Sequence, residues 1–393
     1  GNSSGLETTP SRVWTMSTQW TLFGHTLNSI GDINNDGYPD FSASELFNNS
    51  ATVWVFQGGP DGFGQNPYTI LTGSNEYGYS MHSAGDVNDD GIQDFLIGYT
   101  SGNGEIKLQL GTNTTSLHDS DSIFSESGGT NQRLGEIISS GGDADRDGMH
   151  ELLYASSTST SDGTPGGSIV IIETRDWELT DLPFDFTVNS LDLAVDAQGR
   201  TQLLLDTDDG VYHYERANEI LSSSDPWGST AFGVQTSAAM TVTAAGQPII
   251  VTSDGDLAFE QRQGGVLVKR PYGYNNAGIS DIASKNDNRF ASVYMKLDFV
   301  IGHQLVYANQ SDSGIDTTVL SEFVSSPYLR QISLFLDSND TPHVLALNNS
   351  GLTLFVQNGS HSSSPWDSSL LLEAASQFDA IMSSNGSIAI IAS

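Results

Sequence analysis

One eleven-residue pattern occurs three times in the first part of the chain, and it limits the fold more than any other feature. The first copy is Gly31-Asp32-Ile33-Asn34-Asn35-Asp36-Gly37-Tyr38-Pro39-Asp40-Phe41. The second is Gly85-Asp86-Val87-Asn88-Asp89-Asp90-Gly91-Ile92-Gln93-Asp94-Phe95, and the third runs from Gly142 to Leu152. Counted from the first Asp, positions 1, 3, 5 and 9 carry side-chain oxygens and position 6 is Gly. Runs rich in Val, Ile, Leu, Phe and Tyr flank each copy, and helical periodicity is nearly absent. That combination predicts many short antiparallel strands.

Around the first pattern the expected strands are Thr26–Ile33, Asp40–Leu46, Ala51–Phe56 and Tyr68–Thr72. Around the second they are Ser80–Val87, Asp94–Tyr99, Glu105–Leu110 and Ser122–Ser125. Around the third they are Glu136–Ala144, Glu151–Ala155, Ser168–Glu173 and Trp177–Leu182. Beyond residue 190 the acidic pattern is lost but the rhythm continues, through turns that begin at Asp196, Thr243, Lys285, Asp337 and Ser383. Successive loops and turns start 54, 57, 53, 47, 42, 52 and 46 residues apart. Units of about four strands at this period fit an all-β propeller of eight four-stranded blades, with seven as the other count, better than a pair of sandwiches.

The expected domain is one propeller over 1–393, with patterned blades over about 23–185 and the remaining blades over about 186–393. The last unit has two strands, Phe378–Met382 and Ile388–Ala392. The segment Arg12–Ser17 is an unassigned strand that could complete this unit, either in the same chain or in a neighbouring molecule.

Alternating oxygen ligands around a Gly turn suit a hard cation, and calcium takes six to eight oxygens in flexible geometry. The expected ligands are Asp32, Asn34, Asp36, the carbonyl of Tyr38, and Asp40 in the first loop. They are Asp86, Asn88, Asp90, the carbonyl of Ile92, and Asp94 in the second. In the third they are Asp143, Asp145, Asp147, the carbonyl of Met149, and Glu151. These are not EF-hands: position 12 holds Ala43, Ile97 and Tyr154, and the flanks are strands. The Asp206–Gly210 and Asp254–Asp256 clusters lack the alternation and read as ordinary turns.

Phe23-Gly24 with Gly31–Asp40, and Tyr77-Gly78 with Gly85–Asp94, resemble the FG-GAP repeat of integrin α-subunit propellers and related microbial surface proteins. Leu134-Gly135 with Gly142–Glu151 is a looser match. The resemblance covers roughly residues 23–175. It implies a propeller with structural calcium within blades, an extracellular setting, and adhesion or ligand binding. Integrin propellers have seven blades, so a count of eight departs from them.

The balance of 14 basic and 48 acidic residues gives a net charge of −34. That disfavours nucleic acid and anionic membrane surfaces as partners. Three calcium ions would leave about −28, so the loops do not explain the acidity. There are no cysteines, which removes disulfides, thiolate metal sites and cysteine nucleophiles. No segment is apolar for the length of a bilayer, and the start at Gly1 reads as a mature or trimmed product. Asn-x-Ser/Thr sequons stand at Asn2, Asn48, Asn113, Asn309, Asn339, Asn348, Asn358 and Asn385, so N-linked glycans are an expected modification. No nucleophile elbow, phosphate loop or paired histidines occur, and the chain reads as a non-enzyme. The expected function is an extracellular or cell-surface structural or adhesive module whose partner is a protein or glycan. A lectin, a self-assembling filament subunit and a polysaccharide-acting enzyme are the alternatives.

Overall fold

The computed structural model describes Val13–Trp14 and most of residues 22–392. Outside the described residues lie 1–12, 15–21, 128–133, 143–148, 157–166, 217–226, 272–277, 324–328, 358–365 and 383–387, with shorter stretches between strands. The described residues contain strands and no helix. The strands form seven antiparallel four-stranded sheets and one two-stranded sheet, each built from consecutive strands. The first sheet comprises Leu22–Gly31, Asp40–Phe47, Ser50–Phe56 and Thr69–Gly73. The second comprises Ser80–Gly85, Asp94–Tyr99, Glu105–Gln109 and Ser122–Ser127. The third comprises Ile137–Gly142, Glu151–Ser156, Gly167–Glu173 and Glu178–Phe184. The others span 188–233, 237–271, 278–323, 331–372 and 378–392.

The chain divides into two compact units, one holding the first three sheets and most of the fourth, up to Thr230, and the other the sheets that follow, from Ala231 on. Within each unit the first strands of successive sheets touch: Leu22–Gly31 meets Ser80–Gly85, and Gly278–Ser284 meets Gln331–Leu336. The apolar cores lie between sheets. Ile30, Val53 and Val55 of the first sheet pack with Met81, Phe95 and Ile97 of the second. Leu96, Leu108 and Ile106 of the second pack with Ile138, Leu152 and Ile172 of the third. Phe95 and Ile97 thus serve one core and Leu96 the other, which is why the middle of Asp94–Tyr99 is a continuous apolar run rather than alternating. Burying a side chain such as Phe95 is worth about 1.5–3 kcal/mol, and Phe95 is fully buried. Sheets stacked face to face by their first strands are the architecture of a β-propeller.

Two local features explain how neighbouring sheets come so close. Gly78 has φ +78°, and a Cβ there would stand 2.6 Å from Val53 Cγ2 and 3.1 Å from Ser44 Cβ of the preceding sheet. The glycine after the aromatic residue is thus required both for its left-handed backbone and for close approach. Thr26 Oγ1 also donates to the Tyr79 carbonyl at 2.7 Å, tying the first sheet to the second.

Strand limits differ from expectation where glycine sets them. The first strand begins at Leu22, because a register shift between Phe23 and Leu27 keeps the pairing going past Gly24. It ends at Gly31, and its counterpart ends at Gly85, where φ of +79° and +75° turns the chain out of the ladder. Of the N-terminal candidate strand only Val13–Trp14 is described, and these two residues are not in a strand. Trp14 packs instead against Phe41 and Phe56, with ring centroids 5.4 and 5.0 Å away.

Candidate metal centre

The first two loops follow the same backbone path. Position 4 is left-handed in both, at Asn35 (φ 58°) and Asp89 (φ 57°), and so is position 6, at Gly37 (φ 91°) and Gly91 (φ 83°). In the first loop Asp32 Oδ1 accepts from Asp36 N at 3.0 Å, and Asp32 Oδ2 from Gly37 N at 2.7 Å. Asn34 Oδ1 also accepts from Asp36 N at 2.9 Å, and Asp36 Oδ1 from Tyr38 N at 3.0 Å. The second loop repeats each bond. Asp86 accepts from Asp90 N at 3.1 Å and Gly91 N at 2.7 Å, Asn88 Oδ1 from Asp90 N at 3.1 Å, and Asp90 Oδ1 from Ile92 N at 2.9 Å.

Position 9 is the chemically demanding one. Asp40 is 1% exposed and Asp94 is 0% exposed, each at the start of the second strand of its sheet. Asp40 Oδ2 accepts from Ile33 N at 3.1 Å and Oδ1 from Gly58 N at 2.7 Å. Asp94 repeats this with Val87 N at 3.0 Å and Gly111 N at 2.8 Å. Burial pushes both carboxyls up to about 7 against the pull of these amides, helped by the charges of Asp36 and Asp32, or Asp90 and Asp86. A buried acid held near neutrality by its own loop is a group whose ionised form calls for a cation.

In the third loop Asp143, Asp145 and Asp147 lie outside the described residues. Met149 is described, and Glu151 is 1% exposed, opening its strand as Asp40 and Asp94 do. Among the described residues no three His, Asp or Glu side chains converge closely enough to hold an ion by themselves. An ion held in these loops would need Asn34 or Asn88 and the Tyr38 or Ile92 carbonyl as well. The Nδ2 of Asn34 is buried without a hydrogen-bond partner. The donor set is all oxygen, which fits a hard divalent cation and not a soft one.

Sequence reasoning missed the amides of Gly58 and Gly111, which complete the shells of Asp40 and Asp94. The available signal was a glycine 18 and 17 residues after the buried acid, just beyond the third strand of each sheet. The Asp206–Gly210 cluster is a hairpin closed by Thr207, whose hydroxyl donates to the Gly210 carbonyl at 2.6 Å.

Fold and loops together define an all-β propeller protein whose first blades carry acidic Gly-Asp loops. Residues 32–97 match the model of the FG-GAP-like repeat family, so this part of the chain is similar to an FG-GAP repeat. The chain is similar to human integrin α-6, 32% identical over 85 residues, and to the Caenorhabditis elegans integrin α pat-2, 32% identical over 101 residues. The aligned stretches cover 21% and 23% of this chain and only 8% of either relative's length. A solved structure of a functionally unknown protein from Desulfotomaculum acetoxidans aligns over 88% of this chain and 98% of its own, with 10% identity and a TM-score of 0.46.

Proposed function

We propose that the chain is a calcium-stabilised extracellular propeller that serves as a structural or adhesive module at a cell surface, and not an enzyme. The observation that carries this reading is the pair of loops with one backbone path, each ending on a buried carboxylate. In this reading calcium binds at three loops, through Asp32, Asn34, Asp36, Tyr38 O and Asp40; through Asp86, Asn88, Asp90, Ile92 O and Asp94; and through Asp143, Asp145, Asp147, Met149 O and Glu151. The ion would neutralise acids that the fold otherwise buries at a cost, so metal binding and folding are linked. The integrin relatives support an adhesive role and a protein partner, with a glycan as the alternative ligand.

The full ring is read as eight blades in a single domain, the last completed by residues 12–17 of the same chain or of a neighbour. The seven four-stranded sheets beside one two-stranded sheet support that count. Exposed Asn113 and Asn339 are the described sequons best placed to carry a glycan, whereas Asn348 is buried and caps Ser350 N. The test is metal content after dialysis against calcium. Three ions per chain support the reading, and none would refute it.

A further inference from the structure

The two described loops are wired to each other by hydrogen bonds that no calcium ligand set requires. Gln93 N, between two expected ligands of the second loop, donates to the carbonyl of Asp32, the first ligand of the first loop, at 3.3 Å. A second path runs through the strap Gly111-Thr112. Gly111 N donates to Asp94 Oδ1 at 2.8 Å, while Thr112 N donates to the Ile33 carbonyl at 2.8 Å. Ile33 N in turn donates to Asp40 Oδ2 at 3.1 Å. The two buried position-9 carboxylates are thus joined through three residues, Ile33, Gly111 and Thr112. The contact leaves no slack: a Cβ on Gly111 would collide with the carbonyls of Gln93 and Ile33, both backbone. The first element recurs one blade on, where His150 N, between Met149 and Glu151, donates to the Asp86 carbonyl at 3.3 Å.

From this wiring we infer that the first two calcium loops bind cooperatively, the filled first loop ordering the second. The inference rests on the calcium reading above. Its physical basis is that an ion fixes Asp32 and Asp40, whose neighbours Gln93, Ile33 and Thr112 then hold the backbone that presents Ile92 O and Asp94. The conformational cost of ordering the second loop is partly met when the first is filled, which is a coupling between sites.

The test is calorimetric titration of the chelator-stripped full chain with calcium alone. The wild type is expected to show a Hill coefficient above 1. Asp36→Ala, which disables the first loop, is expected to remove one ion and to weaken the next loop by at least about 5-fold. Thr112→Pro, which deletes the donor to the Ile33 carbonyl without touching a ligand, is expected to keep the number of ions and bring the Hill coefficient to 1. Gly111→Ala, which also wedges the second loop's own backbone at Gln93 and disturbs the amide that bonds Asp94, is expected to weaken that loop's ion as well. Independent sites in the wild type, or an Asp36→Ala variant whose remaining affinities are unchanged, overturn the coupling while leaving the calcium reading intact. A wild type that binds no calcium overturns both.

Discussion

The acidic loops at 32–40 and 86–94 and the short turns at 285–289 and 337–341 begin alike and end differently. In all four the fourth residue is left-handed: Asn35, Asp89, Asn288 (φ 63°) and Asp340 (φ 60°). The short turns then close at once. Lys285 N donates to the Arg289 carbonyl at 2.8 Å and Asp337 N to the Thr341 carbonyl at 3.1 Å. The strand that follows opens with Phe290 or Pro342. The acidic loops run on through Gly and open the strand with a buried acid instead. Position by position, Asp40 and Asp94 stand where Phe290, 0% exposed, stands in the sixth sheet. Neighbouring turns are also linked in the second unit, but by side chains: Asn288 Oδ1 accepts from Ala245 N at 2.8 Å and Asp340 Oδ1 from Asn286 N at 3.1 Å. The fold needs a turn and a link at each of these places. In the calcium reading proposed above, only a buried carboxylate makes the turn need an ion.

The largest expected effects test that substitution directly. Phe290→Ala should cost about 3–5 kcal/mol, equally with calcium and with chelator, by urea unfolding. Asp94→Ala should cost a similar amount, about 2–6 kcal/mol, because it leaves Val87 N and Gly111 N unpaired. Its stability should also respond less to calcium than that of the wild type. Equal calcium responses for Asp94→Ala and the wild type would break the contrast.

Next comes pH. The carboxyls of Asp40 and Asp94 are raised to about 7 in the metal-free fold, against about 4 for an unfolded Asp. A raised folded value contributes stability that is present below about pH 4 and lost as pH rises through about 7. Stripped protein should therefore melt higher at pH 5.5 than these groups allow at pH 8, and the melting shift given by calcium should be larger at pH 8. A calcium shift that does not depend on pH would count against buried acids as the cause. By contrast, Asp337 in a short turn is held below the usual carboxylate range: burial pushes it up, but the amides of Thr341 and Asn339 outweigh that.

Smaller effects separate backbone strain from ligation. Gly37→Ala places a Cβ in open space at φ +91°, so its cost is conformational, about 1–2 kcal/mol. Asp337→Ala loses two turn bonds at an accessible site and should cost only about 0.5–1.5 kcal/mol, with no calcium dependence. Thermal melts of the two variants with and without chelator would rank them.

Much of this contrast could be read from the residues. Asp94–Tyr99, Phe378–Met382 and Ile388–Ala392 are strands where the apolar runs place them, because short runs bounded by Gly, Asn and Ser have no other periodicity to follow. The left-handed turns were legible in Gly37 and Gly91. The first strand was read short at its start because a glycine within an apolar run looks like a break, whereas Gly24 is accommodated by a register shift. What could not be read was the far side of each loop. Gly58 and Gly111 reach Asp40 and Asp94 only after two further strands have folded back, and Gln93 meets Asp32 only when two sheets pack. Local spacing specifies the ligands; tertiary packing supplies the amides that hold them.

The most direct test of the account is residue-resolved amide exchange on stripped protein before and after calcium. The amides of Ile33, Gly58, Val87 and Gly111 bond to the two buried carboxylates and should slow markedly when calcium is added. Those of Lys285 and Asp337, which close the short turns, should not change. Protection that rises equally at both sets, or at neither, would contradict the claim that a buried acid is what makes these loops depend on an ion.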